Sequence, residues 1–340
     1  MPVHARAILA PMSGVTDAGM RRIAMQTGAG MAVSEMVASD DYVNGRSEAR
    51  LRAEGEGVSP HVVQIAGCEP YWMGEAARLA EASGADIVDI NMGCPSKRVN
   101  GRFSGSALMR DLDHAVSLIE ATVAAVKCPV TVKMRLGWDH ATLNAPELAR
   151  RAEASGAQMI TVHGRTRQQF YTGRADWCAI RPVREATSVP LIANGDCTSA
   201  GDARRMLAET GADAVMVGRS AVGRPWLVGE IAAELDGSEI PPLTAEAKAG
   251  LALRHLEYLV SAMGGRTGLR HARKHLAAYA DHAGSSIHDL PASLRAERLE
   301  LVTSDSFERV PRLLHSLMVR VHNAEDPKAP RQSSPECAAA

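Results

Sequence analysis

The stretch Ser83-Gly84-Ala85-Asp86-Ile87-Val88-Asp89-Ile90-Asn91 holds the pattern from which the fold is read. A Gly follows a helical segment, a short apolar run follows the Gly, and a polar residue stands at the far end of the run. Gly is the usual C-terminal helix cap because it enters the left-handed region without a Cβ penalty. The Ser/Thr-Gly-Ala tripeptide recurs as Thr27-Gly28-Ala29, Ser155-Gly156-Ala157 and Thr210-Gly211-Ala212, an internal repeat of one supersecondary unit. Working outward, short β-branched runs alternate with longer Ala-, Leu-, Arg- and Glu-rich segments. The strand runs are Ala7 to Ala10, Met31 to Ser34, His61 to Ile65, Asp86 to Ile90, Val130 to Met134, Met159 to Val162, Leu191 to Ala193 and Ala214 to Val217. The tripeptide precedes every even-numbered run. Pro60, Pro129 and Pro190 precede odd-numbered runs, where a missing N–H costs least at the first strand residue. Eight runs with these alternating signals predict a (β/α)8 TIM barrel. An open Rossmann sheet would want GxGxxG after its first strand, and none stands there.

Composition agrees with a folded chain. Of 340 residues, 46% are hydrophobic and 23% charged, which excludes wholesale disorder and coiled-coil classes. Thirty-eight Lys and Arg against 39 Asp and Glu leave a net charge of -1, so a nucleic-acid contact must rest on a local patch. Aromatics at 4% argue against rows of stacking platforms for single strands. No apolar run reaches the roughly 18 residues of a membrane span, and the start lacks a signal-peptide pattern, so a cytoplasmic protein without membrane contact is expected. Cys68, Cys94, Cys128, Cys178, Cys197 and Cys337 form no CxxC pair. Neither a metal site nor a disulfide framework is expected.

The polar residues gather just past the strand runs: Ser13, Glu35, Gln64, Asn91 with Cys94, Lys133 with Arg135, His163 with Arg165, Asn194 with Asp196, and Gly218 with Arg219. In an eight-stranded α/β barrel those ends converge on one mouth. After residue 240 only helical periodicity remains, broken at Gly264-Gly265, Gly284 and Pro291. The expected organisation is a barrel over 1–240, a C-terminal all-helical domain over 241–324 and a disordered tail over 325–340.

Asn91 to Met109, NMGCPSKRVNGRFSGSALM, is a long loop after a buried strand, and its glycines allow close backbone approach to a ligand. Here the sequence resembles the tRNA-dihydrouridine synthase family, within it the bacterial B-type subfamily. The resemblance is carried by APMSGVTD (Ala10 to Asp17), SEM (Ser34 to Met36), QIAG (Gln64 to Gly67), DINMGCPSKRV, VKMRLGW (Val132 to Trp138), HGRTRQQFYTG (His163 to Gly173), ANGD (Ala193 to Asp196), VGRSAVGRPW (Val217 to Trp226) and ARKHLAAY (Ala272 to Tyr279). Departures are Ser104, where Gly or Ala is frequent, and Ala277-Ala278, where Gly and Trp are common.

The resemblance implies an enzyme that holds FMN at the mouth, takes electrons from NADPH and saturates the 5,6 double bond of chosen tRNA uridines, acting as a monomer. By motif position, Pro11, Met12 and Ser13 line the flavin ring, Gln64, Lys133 and His163 hold its polar edge, and Asn194, Gly195, Asp196, Gly218 and Arg219 hold its phosphate. Lys133 can also be read as an inward lysine paired with Glu35. Cys94 looks like the proton donor: a thiol with an ordinary pKa near 8.5 keeps its proton at pH 7, where a carboxylic acid has lost it. Asn91, Arg135, Arg165 and His163 would face the base, which must leave the tRNA stack to arrive. Arg266, Arg270, Arg273 and Lys274 recur at helical spacing and would grip tRNA phosphates, against the alternative of a solvated charged face. Two other classes stay open: a barrel flavoenzyme or Schiff-base aldolase acting on a small molecule, and a non-catalytic RNA-binding barrel.

Overall fold

The computed structural model describes residues 6–101, 103–283 and 291–325. The chain divides into two compact units, Met1–Ile240 and Pro241–Ala340.

Nine parallel strands make up the first unit's sheet: β1 (Ala7–Leu9), β2 (Met31–Val33), β3 (Val37–Ala38), β4 (His61–Ala66), β5 (Ile87–Met92), β6 (Val130–Arg135), β7 (Met159–His163), β8 (Leu191–Asn194) and β9 (Ala214–Val217). Each barrel strand pairs with its neighbours, β1 with β9 and β2 with β4, so the sheet closes on itself. The eight expected runs are the barrel strands. The two-residue β3 is additional and pairs only at the upper end of β4, Val37 opposite Ile65.

The tripeptide glycines cap as their sequence requires. Gly28, Gly84, Gly156 and Gly211 all have positive φ, from 71° to 103°, a region where an L side chain is strained. The Asp that follows two of these tripeptides ties the barrel floor, where Asp86 Oδ2 accepts from His61 N and Asp213 Oδ2 accepts from Leu191 N.

Strand alternation separates two cores. One face of each strand packs on the surrounding helices in the larger cluster, which contains Leu9, Val63, Ile90, Val132 and Val215. The other face forms a small cluster from strands and their ends alone: Ile8, Ala10, Met31, Val33, Val62, Ile87, Met159, Ile192, Ala214 and Met216. Polar residues take the same inward alternation above that plug.

The second unit contains helices Ala245–Met263, Gly265–Asp281, Ala292–Thr303 and Arg309–Glu325. Thr244 caps the first by accepting from Ala247 N. Inside the unit, the buried His255 Nδ1 lies 2.9 Å from Tyr279 Oη. The breaks at Gly264 and Pro291 are present, and a further break at Ser304–Glu308 carries no Gly or Pro to announce it. The expected break at Gly284, and the tail from 326 with Cys337, lie outside the described residues. Residue 325, expected in the tail, closes the last helix.

Candidate active site

Register sets the inward polar residues in tiers. Gln64 on β4 opposes Asp89 on β5, which opposes Thr131 on β6. Asn91 opposes Lys133, and Lys133 opposes Thr161 on β7. Arg135 opposes His163, which opposes Asn194 on β8. Asn91, Arg135, His163 and Asn194, expected just past the runs, lie inside the strands, because β5 to β8 run one to two residues further. Parallel neighbours extend them, because each added residue finds a ladder partner.

Lys133 is the central cation. Its Nζ donates to Asn194 Oδ1 at 3.0 Å, and Asn194 Nδ2 donates to Met216 O at 2.8 Å. Burial, helped by the nearby Arg135 charge, lowers the Lys133 pKa to about 8. Glu35 Oε1 accepts from Gly14 N, in the turn after β1 that carries Pro11, Met12 and Ser13.

Cys94 is half-buried and its backbone is held from two directions. Its N–H donates to Asn91 Oδ1 at 2.9 Å, while its carbonyl accepts from Ser106 N at 3.1 Å and Ser106 Oγ at 2.8 Å. Burial pushes the thiol pKa above its ordinary value, so the group carries its proton at neutral pH.

Three expected ligands make hydrogen bonds or ion pairs within the protein. Arg165 is 2% exposed. Its Nε donates to Thr172 O, its Nη1 faces Asp196 Oδ1 and His163 Nε2, and its Nη2 donates to Asp196 Oδ2 and Gly173 O. All five guanidinium donors are used, so Arg165 orders the mouth and offers no hydrogen to a base. Asp196 is bound by Arg165 and Arg219 at 2.7 and 3.2 Å. Burial opposes its ionisation, but the Arg165 hydrogen bond and the guanidinium charges hold the carboxyl below its usual range. An ionised carboxylate repels a phosphate, so its side chain serves to place the arginines. Arg135 gives three hydrogen bonds to loop carbonyls: Gly93, Thr166 and Phe170.

Because Arg165 can only donate, the hydrogen bond it directs at His163 makes Nε2 the acceptor, leaving the ring proton on Nδ1. Burial, followed by the surrounding cationic charges, lowers the His163 pKa well below its ordinary value. The imidazole is neutral.

On helix Gly265–Asp281, Arg266 and Arg270 are exposed. Arg273 leaves the expected stripe: it pairs with Asp305 at 2.7 Å and donates to Thr303 O. Lys274 Nζ lies 3.0 Å from His271 Nε2.

Sequence reasoning gave no role to Asp89, Thr131 and Tyr171. Asp89 had a signal, a carboxylate inside an apolar strand run. Tyr171 lies inside the motif HGRTRQQFYTG, and its exposed ring lies 5.6 Å from the Arg135 guanidinium and 5.3 Å from that of Arg219.

The family model described as dihydrouridine synthase (Dus) matches residues 8–304. A Rhizobium leguminosarum bv. phaseoli protein named "Probable tRNA-dihydrouridine synthase" is 53% identical over 93% of this chain and 96% of its own. A Rhodobacter capsulatus protein of the same name is 50% identical over 89% and 95%. The "tRNA-dihydrouridine synthase B" of Xanthomonas campestris pv. campestris is 45% identical over 92% and 96%. With the match running through all eight barrel strands and into the helices beyond, the chain belongs to the dihydrouridine synthase family.

Proposed function

We propose that this chain is a flavin-dependent tRNA-dihydrouridine synthase, with FMN as resident cofactor and NADPH as reductant. The observation that carries the reading is Cys94, a protonated thiol pinned through Asn91 and Ser106 at the mouth that also holds Lys133. The names of the close relatives support the tRNA substrate.

The donor set fits a flavin. Lys133 spends one of three ammonium donors on Asn194, leaving donors for the carbonyl edge of an anionic reduced ring. The amide of Gln64 and the Nδ1–H of neutral His163 complete that polar edge, and Pro11, Met12 and Ser13 line the ring. Arg219, held by Asp196, and the backbone of Asn194–Gly195 and Gly218 take the phosphate, as βα loops after the last barrel strands do. When bound there and reduced, the flavin would supply the hydride for the uracil double bond. Cys94 then donates its proton to C5, where negative charge develops, and Asn91 orients the loop that carries it. Arg266 and Arg270 contact tRNA phosphates, and the target base is extruded to reach the mouth. A thiol suits this step because it is still protonated at the working pH, whereas a carboxylic acid at the same place would be ionised.

The test incubates FMN-loaded protein with NADPH and unmodified tRNA and measures dihydrouridine by mass spectrometry. Cys94→Ala is expected to keep NADPH oxidation by the flavin while dihydrouridine formation falls about 10²- to 10⁴-fold. Formation at the wild-type rate would move the donor role to another group.

A further inference from the structure

Beneath Cys94 one line of hydrogen bonds crosses three strands. The N–H groups of Cys94 and Gly93 donate to Asn91 Oδ1 at 2.9 and 3.2 Å. Asn91 Nδ2 donates to Gln64 Oε1 at 2.7 Å, and Gln64 Nε2 donates to Asp89 Oδ2 at 2.7 Å. Thr131 Oγ1 closes the line on Asp89 Oδ1 at 2.5 Å. Gln64, Asp89, Asn91 and Thr131 are all buried.

The direction of this line is set at both ends. A backbone N–H only donates, so Asn91 turns its oxygen to Cys94 and its NH2 to Gln64. Gln64 then meets Asn91 with its oxygen and must find an acceptor for its NH2. An ionised carboxylate only accepts, so Asp89 leaves Gln64 no choice of orientation. Such charge-assisted bonds are roughly twice as strong as neutral ones.

We infer that Asp89 is a positioning residue: its carboxylate anchors the Asp89–Gln64–Asn91 line and so fixes the backbone of Cys94 at the mouth. Its value to catalysis rests on the reading of Cys94 as proton donor. Asp89 is also poised to titrate. Burial raises its pKa to about 6, against the hydrogen bonds from Gln64 and Thr131 and the charge of Lys133, two residues beyond Thr131 on β6. Neutral Asp89 holds Gln64 by a weaker bond, and the Cys94 loop loosens.

The test follows alkylation of Cys94 in the full chain by iodoacetamide between pH 5 and 8.5, with the Cys94 and Cys197 peptides quantified separately. The thiolate is the nucleophile, so log rate against pH has unit slope below the thiol pKa. In the wild-type protein the Cys94 rate is expected to rise above that line below pH 6, about threefold at pH 5, as Asp89 is protonated. Asp89→Asn should give a straight line, several-fold faster throughout, with Cys197 still protected. Thr131→Val removes a hydrogen bond that favours the carboxylate, so the departure should begin at higher pH. Wild-type and Asp89→Asn proteins that share one straight line within twofold would overturn the inference. Should Asp89→Asn expose Cys197 by unfolding, Thr131→Val decides, and an unmoved departure point overturns it. None of these readouts needs cofactor or tRNA, so a wild-type protein that makes no dihydrouridine would be a separate failure, of the proposed function alone.

Discussion

Arg165 sets the tautomer of His163, because a guanidinium only donates and the ring must offer a lone pair, while burial, followed by the charges of Lys133, Arg135 and Arg165, keeps the ring neutral. The consequence is measurable as stability. The folded pKa of His163 lies well below that of an unfolded histidine, about 6.5. Above about pH 6.5 both states are neutral and the contribution is fully present. As pH falls from there toward the folded pKa, the unfolded chain takes a proton that the folded one refuses. Stability then drops with a slope of about 1.4 kcal/mol per pH unit from this residue. Urea unfolding at pH 7.5, 6 and 5 is expected to show His163→Asn losing about one proton's worth of that slope. An unchanged slope would mean that the imidazole is charged in the native state.

Among the connections at the mouth, the turn after β8 combines a left-handed backbone with close side-chain contacts. Gly195 has φ +123°, and a Cβ there would stand 2.7 Å from Ala175 Cβ and 2.9 Å from the His163 ring. Trp177 Nε1 holds the same turn through Gly195 O at 2.8 Å. Gly195→Ala therefore combines backbone strain with overpacking and should cost on the order of 3 kcal/mol. In a unit of this size that is a fall of roughly 6–12 °C in Tm. FMN retention should fall with it, since the same turn carries Asn194, which holds Lys133. A melting temperature within a degree or two of wild type would show that the turn relaxes, and that His163 can move away without cost.

For the whole molecule, a net charge of -1 leaves affinity for a polyanion to local patches. On the helical unit, Arg273 is bound to Asp305, whereas Arg266 and Arg270 stand exposed one helical turn apart. Each phosphate that an arginine no longer neutralises should reduce the salt slope of tRNA affinity by about 0.7–0.9, because its counterion stays bound. Arg266→Ala with Arg270→Ala is then expected to flatten the log–log slope by roughly 1.4–1.8. Flavin content and NADPH oxidation should stay at wild-type values. Filter binding across a salt series checks it, and an unchanged slope would return the stripe to a solvated face. No helix among the described residues is long and apolar enough to cross a membrane.

The barrel was legible from local signals, because helix caps and strand starts are decided by a residue and its immediate neighbours. Gly28, Gly84, Gly156 and Gly211 announce left-handed caps, and the prolines announce strand starts. Cys94, Lys133 and Asn194 could be placed at the mouth because every barrel strand delivers its end there. The break at 304–308 carries no Gly or Pro, and its signal is the weaker one of Ser304 and Ser306, whose hydroxyls accept from Ser306 N and Arg309 N. Partner choice among the polar residues was beyond the sequence. Only the fold shows that Arg165 and Asp196, both expected at the ligand, bind one another, and that Asp89 is more than a polar residue in a buried strand. A hydrogen bond between Gln64 and Asp89 spans 25 positions, and that between Thr131 and Asp89 spans 42. Strand count, capping and the end of the barrel where chemistry gathers follow from the order of residues along the chain. Which donors remain for a ligand follows from the folded barrel alone, because strand register sets which side chains face each other across it.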